Sequence, residues 1–278
     1  MVDLQHLDII VCGHLMARSD LLFEQSTFQL GSHGKANACE SGMEFEPGAV
    51  LPSEEWQTPG RNRTASLTTR YSCGADVRAK PFVALYGFAE EVQALWDLEI
   101  LATETLDAVT GNPLIKHWYE CLLKDALLER WKNLEGLSYC GATSCRPGMP
   151  TTTFNPKTKQ YLGLHLDTWE FESIESRRGA KYRLSINIGK EDRFFVFSDT
   201  PADVYFDTHV HPRSFTDLFR RQFAIEPIRF FRIRVPPGYA YIAPTDLLFH
   251  DGSSDVSRGT TAQFAVRAFF QQDRFFEQ

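Results

Sequence analysis

The sequence predicts an α+β protein in which helices come early in the chain and an antiparallel barrel or sandwich comes late. Two long segments of helical periodicity lie between residues 89 and 135. Several short segments that alternate apolar and polar residues lie between residues 150 and 270. Strands and helices do not alternate along the chain, so a parallel βαβ sheet is not expected. The 278 residues are predicted to form one domain, with edge strands and loops in residues 1–90, a helical brace in 89–135 and a strand-rich core in 150–270.

The helical brace is predicted from two apolar faces. The first helix covers about residues 89–110, where apolar side chains recur at three- and four-residue spacing, at Leu95, Leu98, Ala102, Leu106 and Val109. Gly111 and Pro113 end this helix. The second helix covers about residues 114–134. Two antiparallel helices joined by a tight turn are suited to packing against the outer face of a sheet.

The strand-rich core is predicted from the alternation of apolar and polar residues. Segments 182–188 and 193–197 are separated by a short polar turn, so we expect them to form a hairpin. Residues 136–150 are expected to form a loop. Further strands are predicted at 161–166, 228–235, 239–243, 247–250 and 262–270. A jelly-roll barrel, also called a double-stranded β-helix, is the arrangement we expect, with a site in its mouth.

Two pairs of arginines are predicted to lie in solvent. Arg177 and Arg178 fall in a charged, glycine-terminated loop. Arg220 and Arg221 fall on the polar face of a short amphipathic helix at about residues 215–223. Charged side chains in loops and on polar helix faces usually remain hydrated.

Composition excludes several classes of function. The net charge of −7 provides no general basic surface for nucleic acid or an anionic membrane. No stretch approaches the 18 apolar residues of a membrane span, and the apolar run Ile9–Cys12 is too short for a signal peptide. The six cysteines form no C-x-x-C pair, which is typical of reduced thiols. We therefore expect a cytoplasmic protein that acts on a small-molecule substrate.

A candidate metal site lies in the segment 160–169. This segment is predicted to be a strand that ends in His165-Leu166-Asp167. Residues two apart in an extended chain point to the same side, so the imidazole and the carboxylate can reach one metal ion. His250 is the third ligand that we assign. Two histidines and one carboxylate on one face leave the opposite coordination positions open, which is the pattern of non-haem Fe(II) oxygenases.

At these residues the sequence resembles the Fe(II)- and 2-oxoglutarate-dependent oxygenases. Their signature is a His-x-Asp followed, many residues later, by a second His on a later strand. The segment 235–244 also resembles the turn and strand that precede the second His in this family. The resemblance covers about residues 150–270, and it implies that His165, Asp167 and His250 are both metal ligands and catalytic residues. It further implies Fe(II), 2-oxoglutarate and O₂ as cofactor and co-substrates, and hydroxylation, desaturation or cyclisation of an amino-acid-like or specialised metabolite.

The resemblance also implies an arginine that binds the far carboxylate of 2-oxoglutarate, because a buried guanidinium pairs with a carboxylate through two hydrogen bonds. Arg267, on the predicted last strand, is our first candidate. Arg258 is the second and Arg183 the third. Gln263 stands at a spacing where some family members carry this arginine, so the sequence departs from the family pattern here.

Three alternatives stay open. His209-Val-His211 is similar to the paired histidines of cupins, although the segment 212–215 lacks the glutamate of that pattern. An Fe(II) oxidase or isomerase of the cupin type would bind iron without 2-oxoglutarate. A non-catalytic barrel would bind its ligand without metal. Hydrolase chemistry is not supported, because the sequence has no G-x-S-x-G, no H-E-x-x-H and no glycine-rich phosphate loop.

Overall fold

Two sheets, whose strands pair antiparallel with one exception, contain eleven of the described strands. A computed structural model describes residues 8–11, 23–30, 43–52, 56–57, 81–97, 112–132, 134–170, 173–198, 200–206, 215–225 and 229–270. The strands are β1 (Asp8–Val11), β2 (Phe23–Leu30), β3 (Val50–Pro52), β4 (Phe82–Gly87), β5 (Glu135–Cys145), β6 (Phe154–Asn155), β7 (Gln160–Tyr161), β8 (Tyr182–Asn187), β9 (Arg193–Ser198), β10 (Arg229–Val235), β11 (Tyr239–Ala243), β12 (His250–Ser253) and β13 (Thr261–Phe269).

The larger sheet has the strand order β1-β4-β11-β8-β13-β5, and the smaller has the order β12-β9-β10-β2-β3. All neighbours pair antiparallel except β1 and β4, which are parallel. Strands β6 and β7 form a separate two-stranded hairpin. The expectation of a mixed, strand-rich protein with antiparallel sheets is confirmed.

Each face of the larger sheet covers its own core, because successive side chains of a strand point to opposite sides. Towards the smaller sheet it buries the apolar residues Val83, Leu85, Tyr241 and Ala243 against Phe195, Phe197, Phe231, Ile233 and Val235. On its other face the helices pack against Phe82, Ala84, Leu184, Ile186, Phe264 and Val266. The space between the two sheets is therefore enclosed, and it is where the candidate site lies.

The predicted helical brace is present where the structure describes it. Helix α1 covers Ala89–Asp97, and the remainder of the predicted first helix lies outside the described residues. The second region consists of α2 (Pro113–Trp118), a π-helical turn (Tyr119–Leu123) and α3 (Lys124–Arg130). The Asn112 side chain caps its start, accepting from the Leu114 N–H. Helix α4 covers Phe215–Ile225. None of the helices among the described residues has both the length and the apolarity to span a membrane.

The predicted loop at residues 136–150 is wrong over most of its length. Strand β5 occupies this region and pairs with β13 at the edge of the larger sheet. As an edge strand it is largely half-exposed, so its residues lack the regular apolar alternation of a buried strand. Gly136 and Gly141 adopt positive φ within it, which also made the segment resemble a loop.

The predicted hairpin of segments 182–188 and 193–197 is also wrong. Strand β8 pairs with β11 and β13 in the larger sheet, whereas β9 pairs with β10 and β12 in the smaller sheet. The chain crosses between the sheets over residues 188–192. Both strands are buried almost throughout, so their composition carried no information about which neighbour each would pair with.

Two further strand predictions need adjustment. Regular pairing after β7 ends at Tyr161, and the predicted strand 161–166 continues only as an isolated bridge at His165. The predicted strand 247–250 is displaced, because β12 begins at His250 and ends at Ser253. In both cases a predicted metal ligand, His165 or His250, lies where regular strand pairing begins or ends.

Of the arginines predicted to lie in solvent, Arg177 is buried and Arg220 is partly buried. Arg177 is only 1% exposed, and its Nη1 donates to the carbonyl oxygens of Asp167 (3.0 Å) and Asp246 (2.8 Å). Arg220 donates to Glu46 Oε2 (2.9 Å) and to the Leu162 carbonyl (3.1 Å). Carbonyls and carboxylates that are distant in sequence hold these guanidinium groups, so local sequence could not show it.

Gly163 gives a test of how closely the metal motif packs on the rest of the fold. Its φ is +70°, and a Cβ there would lie 2.8 Å from the Val50 carbonyl oxygen. Gly163→Ala is therefore expected to lower the free energy of unfolding by about 2–4 kcal/mol, measured by urea denaturation. The control is Gly179→Ala, where an added Cβ meets nothing within 4 Å. Equal losses in the two variants would contradict this account of Gly163.

Candidate metal centre

The backbone brings the two predicted histidine ligands together. His165 N–H donates to the His250 carbonyl (3.1 Å), and His250 N–H donates to the His165 carbonyl (2.9 Å). Asp167 N–H donates to the carbonyl of Thr245 (3.1 Å). As a result, His165, Asp167 and His250 each offer a ligand atom, and these atoms all lie within 4.8 Å of one another. The three residues chosen from the sequence therefore form one group.

Both imidazoles are oriented for metal binding by backbone carbonyls. Nδ1 of His165 lies 3.0 Å from the Gly163 oxygen, and Nδ1 of His250 lies 2.9 Å from the Leu248 oxygen. A protonated Nδ1 that donates to a carbonyl leaves the Nε2 lone pair for a cation. Each Nε2 lies 3.7 Å from an oxygen of the Asp167 carboxylate. Asp167 Oδ2 is buried with no hydrogen-bond donor among the described residues, so these donor atoms fit a divalent cation.

The protonation states of the three residues are set by burial and by each other. Burial would lower the pKa of His165, but hydrogen bonds to Asp167 and Asp251 outweigh it and raise the pKa to about 10. Burial lowers the pKa of His250 to about 4, so this ring is neutral. Burial would raise the pKa of Asp167, yet His165, His250 and Arg183 hold it well below its usual value. Without a cation, one proton on His165 therefore balances the Asp167 carboxylate.

Asp251 is a positioning residue that the sequence analysis missed. It is fully buried, and its Oδ2 lies 3.5 Å from His165 Nδ1. Its Oδ1 accepts from the backbone N–H groups of Thr152 (3.0 Å) and Thr153 (3.1 Å). A carboxylate behind a metal-binding imidazole fixes the ring and increases its basicity. The only signal in the sequence was its place directly after His250.

The three arginines predicted to bind 2-oxoglutarate lie in different surroundings. Arg183 and Arg267 are neighbours on β8 and β13, and Arg183 Nη1 lies 3.5 Å from Asp167 Oδ2. Arg267 is 3% exposed and pairs with Asp246 (2.5 Å) and with a glutamate. Arg258 is exposed on the loop between β12 and β13, at the opposite end of these strands from His250. The structure thus brings two of the three to the metal group, and the alternative pair His209 and His211 lies outside the described residues.

A fourth arginine, Arg193, was not considered from the sequence. It begins β9, is 4% exposed, and its Nη1 donates to Thr261 Oγ1 (2.8 Å). Its Nη2 is buried with no hydrogen-bond partner among the described residues. This guanidinium lines a small cavity of about 10 Å³, which has room for about one water molecule, together with Ser185, Asn187, Phe194, Val235, Tyr241, Gly252 and Gln263. A buried donor without an acceptor, facing a cavity, is a candidate anion-binding group.

The cavity lies next to the metal group. His250 and Gly252 are two residues apart in β12, so their side-chain positions share one face and lie about 7 Å apart. A Cβ on Gly252 would lie 3.0 Å from Arg193 Nη2 and 2.6 Å from Thr152 Oγ1. Phe195 connects the two regions, because its ring stacks on Tyr241 (3.9 Å between centroids) and lies 5.9 Å from the His250 ring. The absence of a side chain at Gly252 keeps this space open.

No protein-family model matches this chain, and no curated protein is similar to it in sequence. A function can therefore be proposed only from the residues of the site and their arrangement.

The raised pKa of His165 predicts that metal binding depends on pH. The His165 proton stabilises the metal-free fold fully below pH 6.5, and this stabilisation is lost as the pH rises through about 10. A metal ion must displace this proton. The dissociation constant for Mn(II) is therefore expected to fall by up to about tenfold per pH unit between pH 6.5 and 8.5.

Isothermal titration calorimetry with Mn(II) at several pH values measures this slope. His117→Ala serves as the control, because His117 is exposed on α2 and belongs to no metal group. Its slope should equal that of the unmodified protein. A dissociation constant that does not change with pH would show that binding displaces no proton from His165.

Proposed function

We propose that this chain is a non-haem Fe(II)- and 2-oxoglutarate-dependent oxygenase that oxidises a small molecule. The observation that carries the proposal is the convergence of His165, Asp167 and His250 on one buried point. Two imidazoles and one carboxylate on one side of a metal leave positions for co-substrates on the other side, as in non-haem Fe(II) oxygenases.

The order of the strands supports a double-stranded β-helix, the fold expected from the resemblance. In an eight-stranded double-stranded β-helix, the first, eighth, third and sixth strands lie side by side in one sheet. If the bridge at His165 counts as the second strand, β5, β13, β8 and β11 of the larger sheet take these positions in this order. The smaller sheet then contains the second, seventh, fourth and fifth strands, as the His165 bridge, β12, β9 and β10. This interleaving of two four-stranded sheets defines a jelly roll. In a jelly roll of this order the three candidate ligands would lie at one end of the barrel.

The protein's own residues would hold and orient Fe(II). When bound, Fe(II) with O₂ would supply the chemistry that couples the oxidation of 2-oxoglutarate, to succinate and CO₂, with the two-electron oxidation of the substrate. Carbonyl oxygens at Gly163 and Leu248 keep the two imidazoles facing the Asp167 carboxylate. Arg183 lies beside that carboxylate and helps to keep it ionised. The buried ring of Phe195 lies 5.9 Å from the His250 ring and would limit the access of water to this side of the site.

Arg193 is better suited than the predicted Arg267 to bind the far carboxylate of 2-oxoglutarate. Both terminal nitrogens of Arg267 already pair with carboxylates, whereas Arg193 Nη2 has no acceptor among the described residues. The spacing of about 7 Å along β12, from His250 to the position beside Arg193, is about the length of a five-carbon dicarboxylate. Tyr241 contributes a hydroxyl to the same cavity, and burial raises its pKa, so the hydroxyl keeps its proton and can donate.

The test is an anaerobic titration of the Fe(II)-loaded protein with 2-oxoglutarate, followed through the visible charge-transfer band of the chelate. Arg193→Gln should weaken 2-oxoglutarate binding by about 100-fold, because a charge-assisted hydrogen-bond pair is lost. Arg258→Gln is the matched control, since Arg258 is exposed and does not line the cavity.

Each outcome of this titration has a distinct meaning. A band that weakens in Arg193→Gln and not in Arg258→Gln supports both the co-substrate and its anchor. A band that weakens in Arg267→Gln alone would return the anchor to the residue predicted from the sequence. Iron binding without any band would support the metal site and contradict 2-oxoglutarate as the co-substrate, which favours the cupin-type alternative. Failure to bind iron would favour a binding barrel.

A further inference from the structure

The mouth of the candidate site contains an ion pair between partners of very different exposure. The side chain of Arg267 is 3% exposed, whereas that of Glu170 is 41% exposed. Their atoms Nη1 and Oε1 lie 2.7 Å apart. Glu170 comes three residues after Asp167, on the loop that leaves the metal motif. An exposed carboxylate thus covers a buried cation beside the metal group.

The other terminal nitrogen of Arg267 is held by a buried carboxylate. Arg267 Nη2 pairs with Asp246 Oδ2 at 2.5 Å, and the Asp246 side chain is 5% exposed. The Asp246 carbonyl accepts a hydrogen bond from Arg177 (2.8 Å), which also binds the Asp167 carbonyl (3.0 Å). Arg267 therefore keeps its position and its contact with Asp246 whether or not Glu170 is present.

Two buried N–H donors beside the Arg267–Glu170 ion pair have no hydrogen-bond acceptor among the described residues. The Nε atoms of Arg183 and Arg267 are both buried, and neither has a hydrogen-bond partner among the described residues. The two arginines lie directly opposite each other on adjacent strands, so their side chains leave the sheet on the same face. Arg183 also lies 3.5 Å from Asp167 Oδ2, which connects this cationic pair to the metal group.

An apolar surface lies next to the cations. The indole of Trp169 lies over the Arg267 guanidinium, with Cζ 5.3 Å from the ring centroid, and Trp169 is 47% exposed. Stacking on a guanidinium orients the ring, and the exposed part of the indole can contact an apolar group of a ligand.

We propose that Arg267 binds the carboxylate of an organic-acid substrate and that Glu170 occupies this position until the substrate exchanges with it. This inference rests on the proposed function, because it names the class of molecule oxidised at the metal group. The exchange replaces one carboxylate with another, so the charge beside Arg267 is conserved. Glu170 is already partly hydrated, so its transfer into water costs little. Loss of the charged partner without replacement would instead leave Arg267 undercompensated.

The same geometry defines the substrate class. A planar carboxylate matches the fork of a guanidinium, and the neighbouring indole suits an aliphatic or aromatic chain attached to that carboxylate. The acid group would lie at the level of Arg183 and Asp167, beside the metal group. A neutral amide of the same size cannot pair with the cation and should bind much more weakly.

The experiment compares acids with their primary amides by saturation-transfer NMR. The probes are the straight-chain acids from propanoic to octanoic acid and 3-phenylpropanoic acid. The full chain is loaded with Zn(II) and saturated with 2-oxoglutarate, so that the Arg193 cavity is filled. We expect at least one acid to bind about tenfold or more tightly than its amide. Glu170→Gln should tighten acid binding several-fold, because the internal competitor is lost.

Two variants serve as controls for this comparison. Glu175→Gln removes an exposed glutamate further along the same loop and should leave acid binding unchanged. Arg267→Gln should abolish the preference for acids over amides. If Arg267→Gln does not fold, Glu170→Gln still tests the inference, because it changes only an exposed side chain.

Acids and amides that bind equally, an absence of acid binding to Glu170→Gln, or an unchanged affinity in that variant would each overturn the inference. Separate titrations with metal and with 2-oxoglutarate report on the proposed function. A protein that binds both but shows no preference for acids would retain the proposed function and lose this substrate class. A protein that prefers acids over amides but does not bind 2-oxoglutarate would retain the carboxylate site and lose the proposed function.

Discussion

The reciprocal backbone hydrogen bonds between His165 and His250 are the contact on which the rest of the site depends. They join a segment that follows β7 to the first residue of β12, and they place the two imidazoles with ring centroids 4.8 Å apart. Asp167 is aligned next to them through its N–H bond to Thr245. The backbone, and not the side chains, therefore sets the spacing of the metal ligands.

The site buries charges that apolar packing alone would not tolerate, and its buried carboxylates Asp167 and Asp246 have cationic partners nearby. Asp167 is balanced by His165 and Arg183, and Asp246 is balanced by Arg267. A divalent cation at the three ligands would displace the His165 proton and add positive charge. The anionic co-substrate and the carboxylate substrate that we propose would offset this added charge. Metal, co-substrate and substrate are thus linked through the same electrostatic balance.

Sequence alone located the three residues of the candidate metal group because their pattern is local. His165 and Asp167 are two residues apart in an extended segment, and His250 follows a recognisable turn and strand. The remaining polar residues of the site have no such pattern. Arg193 is identified only because its Nη2 is buried without an acceptor among the described residues. Asp251 is identified only because it lies beside the imidazole of His165. Their roles depend on contacts between distant segments, and periodicity carries no information on these.

The same distinction explains the fold. The helical periodicity of the second helix and the alternation in β8, β10, β11 and β13 predicted elements close to those observed. The partners of the strands were not predictable, because β8 and β9 are buried on both faces and either could join either sheet. Arg177 illustrates the point for side chains. Its charged, glycine-terminated surroundings predicted solvent exposure, but two carbonyl oxygens from separate loops bind it in the interior.

The most direct test of the account is the stoichiometry of iron binding. Anaerobic isothermal titration with Fe(II) should show one ion per chain in the unmodified protein and in His117→Ala. Binding should be lost in His250→Ala and in Asp167→Ala, because each variant removes one of the three candidate ligands found among the described residues. Iron binding that persists unchanged in both of these variants, or no binding to the unmodified protein, would contradict the assignment of the metal centre.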